Sequence, residues 1–197
     1  MFEESNIPEK YRDKTLQNYV VTPGTAEGYK MVSRYVETLD EKVRNGFGMV
    51  LSGDNNSGKT HLAVAVLREA ILHNVSAYFV IFGDYVNKVT RTWKPGDDEG
   101  YADLDFIRES KILVLDDVDK VNLAQDKFQV KELDLLLRAR DSKGLSTIMT
   151  TNILDENGAF ASTFGISIDS LIRRKNLIFE FAGGYTKNLT ENLRKGW

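Results

Sequence analysis

Cysteine is absent from the sequence, which also has only two histidines and three prolines among its 197 residues. Without cysteine there are no disulfides and no thiolate metal sites, and His61 and His73 stand apart, so a zinc site is not expected. No apolar run approaches the roughly 20 residues needed to cross a bilayer, and the N-terminus lacks the pattern of a secretory signal. We therefore expect a cytoplasmic protein without a membrane partner, in which any metal is a hard cation bound by oxygen.

A strong excess of one charge is also missing, because the formal net charge is only −3. A balance of this kind allows a local basic groove for nucleic acid but does not imply one. With 42% hydrophobic and 28% charged residues, the chain has the composition of one globular domain with a sizeable core.

Short apolar runs alternate with helical patterns along the chain. The runs predict five strands, at 49–52, 77–81, 112–115, 146–150 and 177–181. Since they are almost continuously apolar, they are typical of a parallel α/β sheet that is covered on both faces. Apolar residues at helical spacing from Thr25 to Asn45 predict a helix before the first strand. We treat residues 1–24 as a linker and 25–197 as the domain, with both chain ends at the periphery.

The stretch GDNNSGKT, residues 53–60, matches the pattern G-x-x-x-x-G-K-[ST] between a predicted strand and a predicted helix. Backbone N–H groups of such a loop and the N-terminus of the next helix hold phosphates. Lys59 is expected to reach the β and γ phosphates and Thr60 to bind Mg²⁺, whereas the alternative is an ordinary turn. Asn56 replaces a common loop glycine and tolerates a left-handed backbone. The residues predicted to bind ATP or ADP are Gly53, Asp54, Asn55, Asn56, Ser57, Gly58, Lys59, Thr60 and, unless it only packs, His61.

Two carboxylates end the predicted strand in KILVLDD. We expect Asp116 to hold Mg²⁺ together with Thr60, and Asp117 to activate a water for attack on the γ-phosphate. Adjacent acids at this place indicate hydrolysis rather than binding alone. The alternative is a strand that ends in solvated acids. Asp119 could be a third metal ligand, but we interpret it as a solvated loop acid.

The following strand, in LSTIMTTN, ends on Asn152. Alone, this ending is only a turn signal. Next to the strand of Asp116, an amide at this position could orient the attacking water or sense the γ-phosphate.

Together these residues resemble the AAA+ ATPases of the DnaC/DnaI helicase-loader and IstB transposition-helper group. The resemblance covers almost the whole chain, in IPEKYRDKTLQNY, SGKTHLAVAV (Walker A), ILVLDD (Walker B) and STIMTTN (sensor 1). It implies a P-loop AAA+ core with a five-stranded parallel sheet and no helical lid. It also implies a slow ATPase, stimulated by assembly or DNA, that loads or regulates a replicative helicase on single-stranded DNA in replication. Self-association into a ring or spiral in the ATP-bound state is part of the same expectation.

The sequence departs from this group at both ends. Loaders usually carry an N-terminal domain that grips the helicase, and we interpret this chain as an excised ATPase core or a short relative. The group also has an arginine finger in a Ser-Arg-Leu motif, where this chain reads Ser170-Leu171-Ile172. The finger is expected at Arg174, about 60° around the helix from Leu171, or at Arg173, unless both are solvated helix arginines.

DNA contacts are expected in the segment NKVTRTWKPGDDEGY, because the resembling loaders touch single-stranded DNA through a helical insertion here. Its candidate residues are Lys88, Arg91 and Lys94 for phosphates and Trp93 for base stacking. The alternative is a tryptophan packed under a loop, and the acidic residues that follow weaken the basic-patch interpretation.

Three other functions remain open. They are an IstB-like transposition helper, a nucleotide-gated switch with little hydrolysis, and a P-loop nucleotide kinase. The kinase is the weakest of these, since its arginine-rich lid segment is not found in the sequence.

Overall fold

The computed structural model describes residues 2–92, 98–120, 127–182 and 185–188, and its strands form one sheet. The order in the sheet is β2-β3-β4-β1-β5-β6, in which β1 to β5 are parallel and β6 is antiparallel to β5. The strands are β1 Gly48–Gly53, β2 Ala77–Ile81, β3 Ile112–Asp116, β4 Ser146–Thr151, β5 Asn176–Ala182 and β6 Tyr185–Asn188. All five predicted strands are confirmed. The short polar β6 was not predicted, because it carries no apolar pattern.

The helices connect the strands as expected for a parallel sheet. A 3-10 turn at Glu9–Tyr11 precedes them, and the helices are α1 Ala26–Glu37, α2 Leu39–Arg44, α3 Lys59–Leu72, α4 Phe82–Arg91, α5 Asp98–Glu109, α6 Lys127–Ser142, α7 Ala159–Phe164 and α8 Ile166–Lys175. The single helix predicted before β1 is two helices, because the backbone leaves the helical conformation at Thr38.

The sheet is buried on both faces, as its unbroken apolar strands predict. Met49 and Leu51 of β1 pack with α1 and α3 on one face, whereas Val50 packs with α4 to α8 on the other. Every residue of β1, β3 and β4 is buried. The carboxyl ends of these three neighbouring strands therefore meet at one edge of the sheet, where their polar end residues come together.

The N-terminal segment contributes to the core, so the expectation that it lies at the periphery is wrong for two of its residues. Ile7 and Leu16 are only 4% and 8% exposed. The backbone N–H of Phe79 in β2 donates to Ser5 O over 2.8 Å, and Asn6 Nδ2 donates to Phe79 O over 2.9 Å. Sequence periodicity misses these contacts because the segment consists mostly of turns. Within the described ranges, every helix is too short or too polar to span a bilayer.

Candidate functional site

The loop between β1 and α3 has the backbone that its glycines and asparagine predict. Gly53, Asn56 and Gly58 have φ values of +131°, +62° and +86°. A Cβ on Gly53 would lie 2.2 Å from Phe181 O of the neighbouring strand, so only glycine fits there. The expected left-handed conformation of Asn56 is confirmed. The loop leads directly into α3, which begins at Lys59.

Lys59 lies inside this loop and is only 6% exposed. Its Nζ donates to Gly53 O at 2.8 Å, Asp54 O at 2.7 Å and Asn152 Oδ1 at 3.1 Å, and Ser57 Oγ lies 3.4 Å away. Burial lowers the pKa of Lys59, although nearby acids, of which Asp119 is the strongest, oppose this shift. The ammonium group is thus held by neutral oxygens of the loop and of Asn152.

Asp116, at the end of β3, is 2% exposed and lies against α3 and β4. Its Oδ1 accepts hydrogen bonds from Thr60 Oγ1 at 2.9 Å and from Thr150 Oγ1 at 2.6 Å. Burial raises the pKa of Asp116, and the neighbouring Asp117 adds to this effect, while the two hydroxyl groups oppose it. Thr60 and Asp116 thus form a pair of hard oxygen donors, which is the chemistry that Mg²⁺ prefers. No cluster of three or more His, Asp or Glu side chains suited to a metal occurs among the described residues.

Asp117 follows β3 in a strained, left-handed conformation with φ +55°. Its backbone N–H donates to Thr150 Oγ1 over 2.9 Å, which ties it to the next strand. Lys120 Nζ donates to Asp117 Oδ2 over 2.6 Å, and this bond raises the pKa of Lys120. The side chain of Asp117 is 20% exposed and that of Lys120 is 59% exposed, so water reaches both groups.

Asn152 directly follows β4 and lies between Lys59 and Asp119. Its backbone N–H donates to Asp119 Oδ1 over 2.7 Å and its side-chain Nδ2 donates to Asp119 Oδ2 over 3.0 Å. Asp119 was interpreted as a solvated loop acid, and this interpretation is wrong because both of its oxygens are engaged by Asn152. The spacing between Asp119 and Asn152 in the sequence gives no signal of this contact.

A cavity of about 290 Å³ lies where these elements meet. Its lining residues are Tyr11, Asn55, Asn56, Ser57, Gly58, Lys59, Thr60, His61, Asp117, Lys120 and Asn152. The structure thus brings the predicted loop, one of the predicted acids and the predicted amide together around one space, with Asp116 held against Thr60 beside it.

The N-terminal segment lies beside this cavity, which the sequence analysis missed. The hydroxyl of Tyr19 donates to Ser57 O over 3.1 Å, and the Tyr19 ring lies against Gly58. His61 meets Thr15 O at 2.8 Å through Nε2 and the Tyr19 ring edge-on at 5.1 Å between centroids. His61 therefore both lines the cavity and packs against the segment. The stretch around Tyr19 stood out only through the family resemblance, since it has no periodicity of its own.

The two candidate arginine fingers lie in the last turn of α8 and do not line the cavity. Arg173 donates to Asp155 at 2.5 Å and to Asp169 at 2.8 Å, so its guanidinium group holds the loop after β4. Arg174 is paired with Asp141 of α6, and its side chain is 58% exposed. Of the two, Arg174 is the more accessible to another molecule.

The candidate DNA residues are only partly within the described chain. Trp93 and Lys94 lie outside the described residues. Lys88 and Arg91 both belong to α4, and Lys88 forms an ion pair with Asp103 of α5. Neither of these two lines the cavity at residues 53–60.

The sheet order and the loop at the carboxyl end of β1 together define a P-loop nucleotide-binding protein with an AAA+ core. The chain matches the model of the family described as IstB-like ATP binding protein over residues 12–166. This match covers well over half of the chain, and the protein therefore belongs to the family of IstB-like ATP binding proteins.

Similar proteins agree with this assignment. The replicative helicase loader DnaC of Escherichia coli (strain K12) is 23% identical over 152 residues, which are 77% of this chain and 60% of that protein. A crystal structure of the DnaC helicase loader has a TM-score of 0.76 at 23% identity, covering 89% of this chain and 99% of that chain. A crystal structure of DnaI has a TM-score of 0.71 at 21% identity, covering 90% and 93%. The predicted fold and the resemblance to the DnaC/DnaI and IstB group are confirmed.

The chain matches about 60% of the length of this curated relative. At these identities the solved structures show a shared fold.

Proposed function

We propose that the protein binds ATP with Mg²⁺ and hydrolyses it to ADP and phosphate. The observation that supports this most directly is the convergence of Lys59, Asp117 and Asn152 on one cavity, with Thr60 and Asp116 hydrogen-bonded beside it. These groups come from three different segments of the chain, and each has the chemistry that phosphoryl transfer requires.

The loop residues and Lys59 bind the phosphates in this proposal. Gly58, Lys59 and Thr60 at the start of α3 line the cavity, and the positive end of a helix dipole favours an anion. Lys59 exchanges some of its four oxygen contacts for phosphate oxygens, so the charge is already in place before the nucleotide binds. Thr60 and Asp116 hold Mg²⁺, which neutralises phosphate charge when it is bound.

Asp117 is the proposed general base, which accepts the proton of the attacking water. It lies at the cavity and is accessible to water, whereas Asp116 is buried and has both hydroxyl contacts on one oxygen. Lys120 holds Oδ2 of Asp117, and among the described residues Oδ1 has no hydrogen-bond partner.

The biological role that we propose is that of a helicase loader or regulator, with a replicative helicase as partner. Support comes from the relatives named as replicative helicase loader and from the shared fold, over the part of those proteins that this chain matches. Contact with single-stranded DNA through α4 and the segment after it, and self-association through Arg174, belong to the same proposal. Membership of the IstB-like family keeps a transposition helper as the second candidate.

Two substitutions test the chemical part of the proposal. Lys59→Ala is expected to weaken ATP binding by about 3 kcal/mol, or about 150-fold, because it removes charge-assisted hydrogen bonds to phosphate. Asp117→Asn is expected to leave ADP and ATP binding intact while turnover falls by about a hundredfold or more. Calorimetry measures the first effect and phosphate release measures the second.

Lys143→Ala is the matched control, since it removes a surface lysine that pairs with Glu109 away from the cavity. Unchanged affinity in Lys59→Ala together with parental turnover in Asp117→Asn contradicts the proposal. Phosphoryl transfer to a nucleoside monophosphate would instead indicate a kinase, and tight binding without turnover would indicate a switch. Stimulation of turnover by single-stranded DNA supports the loader role.

A further inference from the structure

The amide of Asn152 lies between two groups of opposite hydrogen-bonding character. On one side both oxygens of Asp119 accept from Asn152, at 2.7 Å from the backbone N–H and at 3.0 Å from Nδ2. On the other side Lys59 Nζ donates to Asn152 Oδ1 over 3.1 Å. A carboxylate only accepts and an ammonium group only donates, so each neighbour tolerates just one end of the amide.

This arrangement fixes the orientation of the amide chemically. In the observed orientation the negative end of the amide dipole faces the ammonium group and the positive end faces the carboxylate. A flipped amide would place Nδ2 against Lys59 and Oδ1 against Asp119, which is unfavourable at both ends. The hydrogen bonds to charged groups are also the stronger kind, and they act over short distances here.

The loop that carries Asp119 is itself held in place. The N–H of the preceding Val118 donates to Thr150 O over 3.0 Å, and Val118 is 2% exposed. Asp119 therefore reaches Asn152 from a position fixed by β4, the same strand that Asn152 follows. The contact between the two residues does not depend on a free surface loop.

We propose that Asp119 is a positioning residue which turns the oxygen of Asn152, rather than its NH₂ group, toward Lys59 and the phosphate end of the cavity. The inference rests on the proposed ATPase function. An oxygen at this place accepts a hydrogen from a water molecule but repels phosphate oxygens. Of the two roles considered for Asn152, this orientation favours holding the attacking water over sensing the γ-phosphate.

Asp119→Asn tests the inference with almost no change in shape. The substituted side chain keeps one oxygen, so it accepts from the backbone N–H of Asn152 or from Nδ2 but not from both, and its NH₂ group faces the other donor. The pull that orients the amide is therefore weakened. Misplacement of the attacking water is expected to reduce the kcat of ATP hydrolysis about tenfold to a hundredfold. Affinity for ADP, measured by calorimetry, is expected not to fall, because Asp119 does not line the cavity and the loss of a negative charge near Lys59 does not weaken its attraction for phosphate. Asp40→Asn is the control, since it removes an aspartate charge that is 71% exposed on α2, and it is expected to behave as the parent.

A double-mutant cycle separates positioning from a general structural effect. If Asp119 acts through Asn152, then Asp119→Asn causes no further loss of turnover in an Asn152→Ala background. Equal losses in both backgrounds would overturn the inference. A parallel fall of ADP affinity, turnover and melting temperature would overturn it as well, because it would indicate a structural role alone.

A measurement on the nucleotide-free protein does not depend on hydrolysis. The side-chain NH₂ signal of Asn152, identified in a ¹⁵N spectrum by its loss in Asn152→Ala, is expected to be shifted downfield by the carboxylate and to move back in Asp119→Asn. An unmoved signal would contradict the contact itself. If the signal moves as expected but Lys59→Ala and Asp117→Asn leave turnover unchanged, the proposed ATPase function fails while the contact stands.

Discussion

At Gly58, a single added methyl group is expected to lower the free energy of unfolding through two separate contributions. Its φ of +86° favours glycine, and a Cβ built there would lie 2.6 Å from Cε2 of Tyr19. Gly58→Ala therefore strains the backbone and also pushes on a ring that belongs to the N-terminal segment. The two effects can be measured apart.

The cost of Gly58→Ala follows from these contacts. The left-handed backbone costs a residue with a Cβ about 1 to 2 kcal/mol. Relief of the 2.6 Å contact requires a shift of the ring toward normal separation, about 1 Å, away from its hydrogen bond to Ser57 O and its stacking on Tyr29 at 5.6 Å between centroids. Loss of these contacts is worth about 1 to 2 kcal/mol more. The expected total is about 2 to 4 kcal/mol in the free energy of unfolding.

Urea denaturation of a double-mutant cycle measures the contact with the ring. Tyr19→Ala removes the ring, so in that background Gly58→Ala is expected to cost only the backbone strain, and the coupling is expected to be about 1 to 2 kcal/mol. Gly144→Ala is the matched control, because Gly144 has a φ of +65° and no atom within 4 Å of an added Cβ. Its cost is expected to be about 1 to 2 kcal/mol and independent of Tyr19. Additive costs for Gly58→Ala and Tyr19→Ala would refute the reasoning.

Three further predictions concern buried charges and the assembly surface. Burial raises the pKa of Asp116 above its usual 3.8, so ionisation of this group destabilises the fold. Asp116→Asn is therefore expected to raise the melting temperature of the nucleotide-free protein at pH 7, and this gain is expected to fade toward pH 4. A gain that does not change with pH would argue against the reasoning. Arg140→Met leaves buried oxygens without their hydrogen-bond donor. It is expected to lower the free energy of unfolding, measured in urea, by about 2 to 4 kcal/mol while ADP affinity stays unchanged. A loss below about 1 kcal/mol would contradict this reasoning. Arg174→Ala is expected to lower ATPase activity only where subunits assemble. If Arg174 acts on a neighbouring subunit, mixing Arg174→Ala with Lys59→Ala subunits restores turnover. A mixture without restored turnover would contradict this role.

Much of the fold was predictable because its elements are marked locally. The parallel strands are unbroken apolar runs, and the loop at residues 53–60 carries its own glycine and asparagine pattern. These signals depend on residues that are neighbours in sequence. They also placed Lys59, Asp117 and Asn152 at the ends of the correct elements.

The contacts that were missed join residues far apart in sequence. Asp119 meets Asn152 across 33 positions, and Tyr19 meets Ser57 across 38 positions. The sequence separation of either pair gives no signal that the two residues are in contact. An acid after a strand is also most often solvated. The first contact arises from the order of the strands in the sheet, which places the ends of β3 and β4 side by side. The second arises from the path of the N-terminal segment over the loop after β1.

The segment that pairs with Phe79 also covers part of one edge of the sheet. An open strand edge invites pairing with another chain, and proteins cover or blunt such edges. Here Ser5 and Asn6 occupy the outward N–H and C=O of Phe79, in the middle of the edge strand β2. Pairing of another chain along the whole of β2 would first require this segment to leave. The N-terminal segment therefore protects this edge of the sheet without adding a regular strand to it.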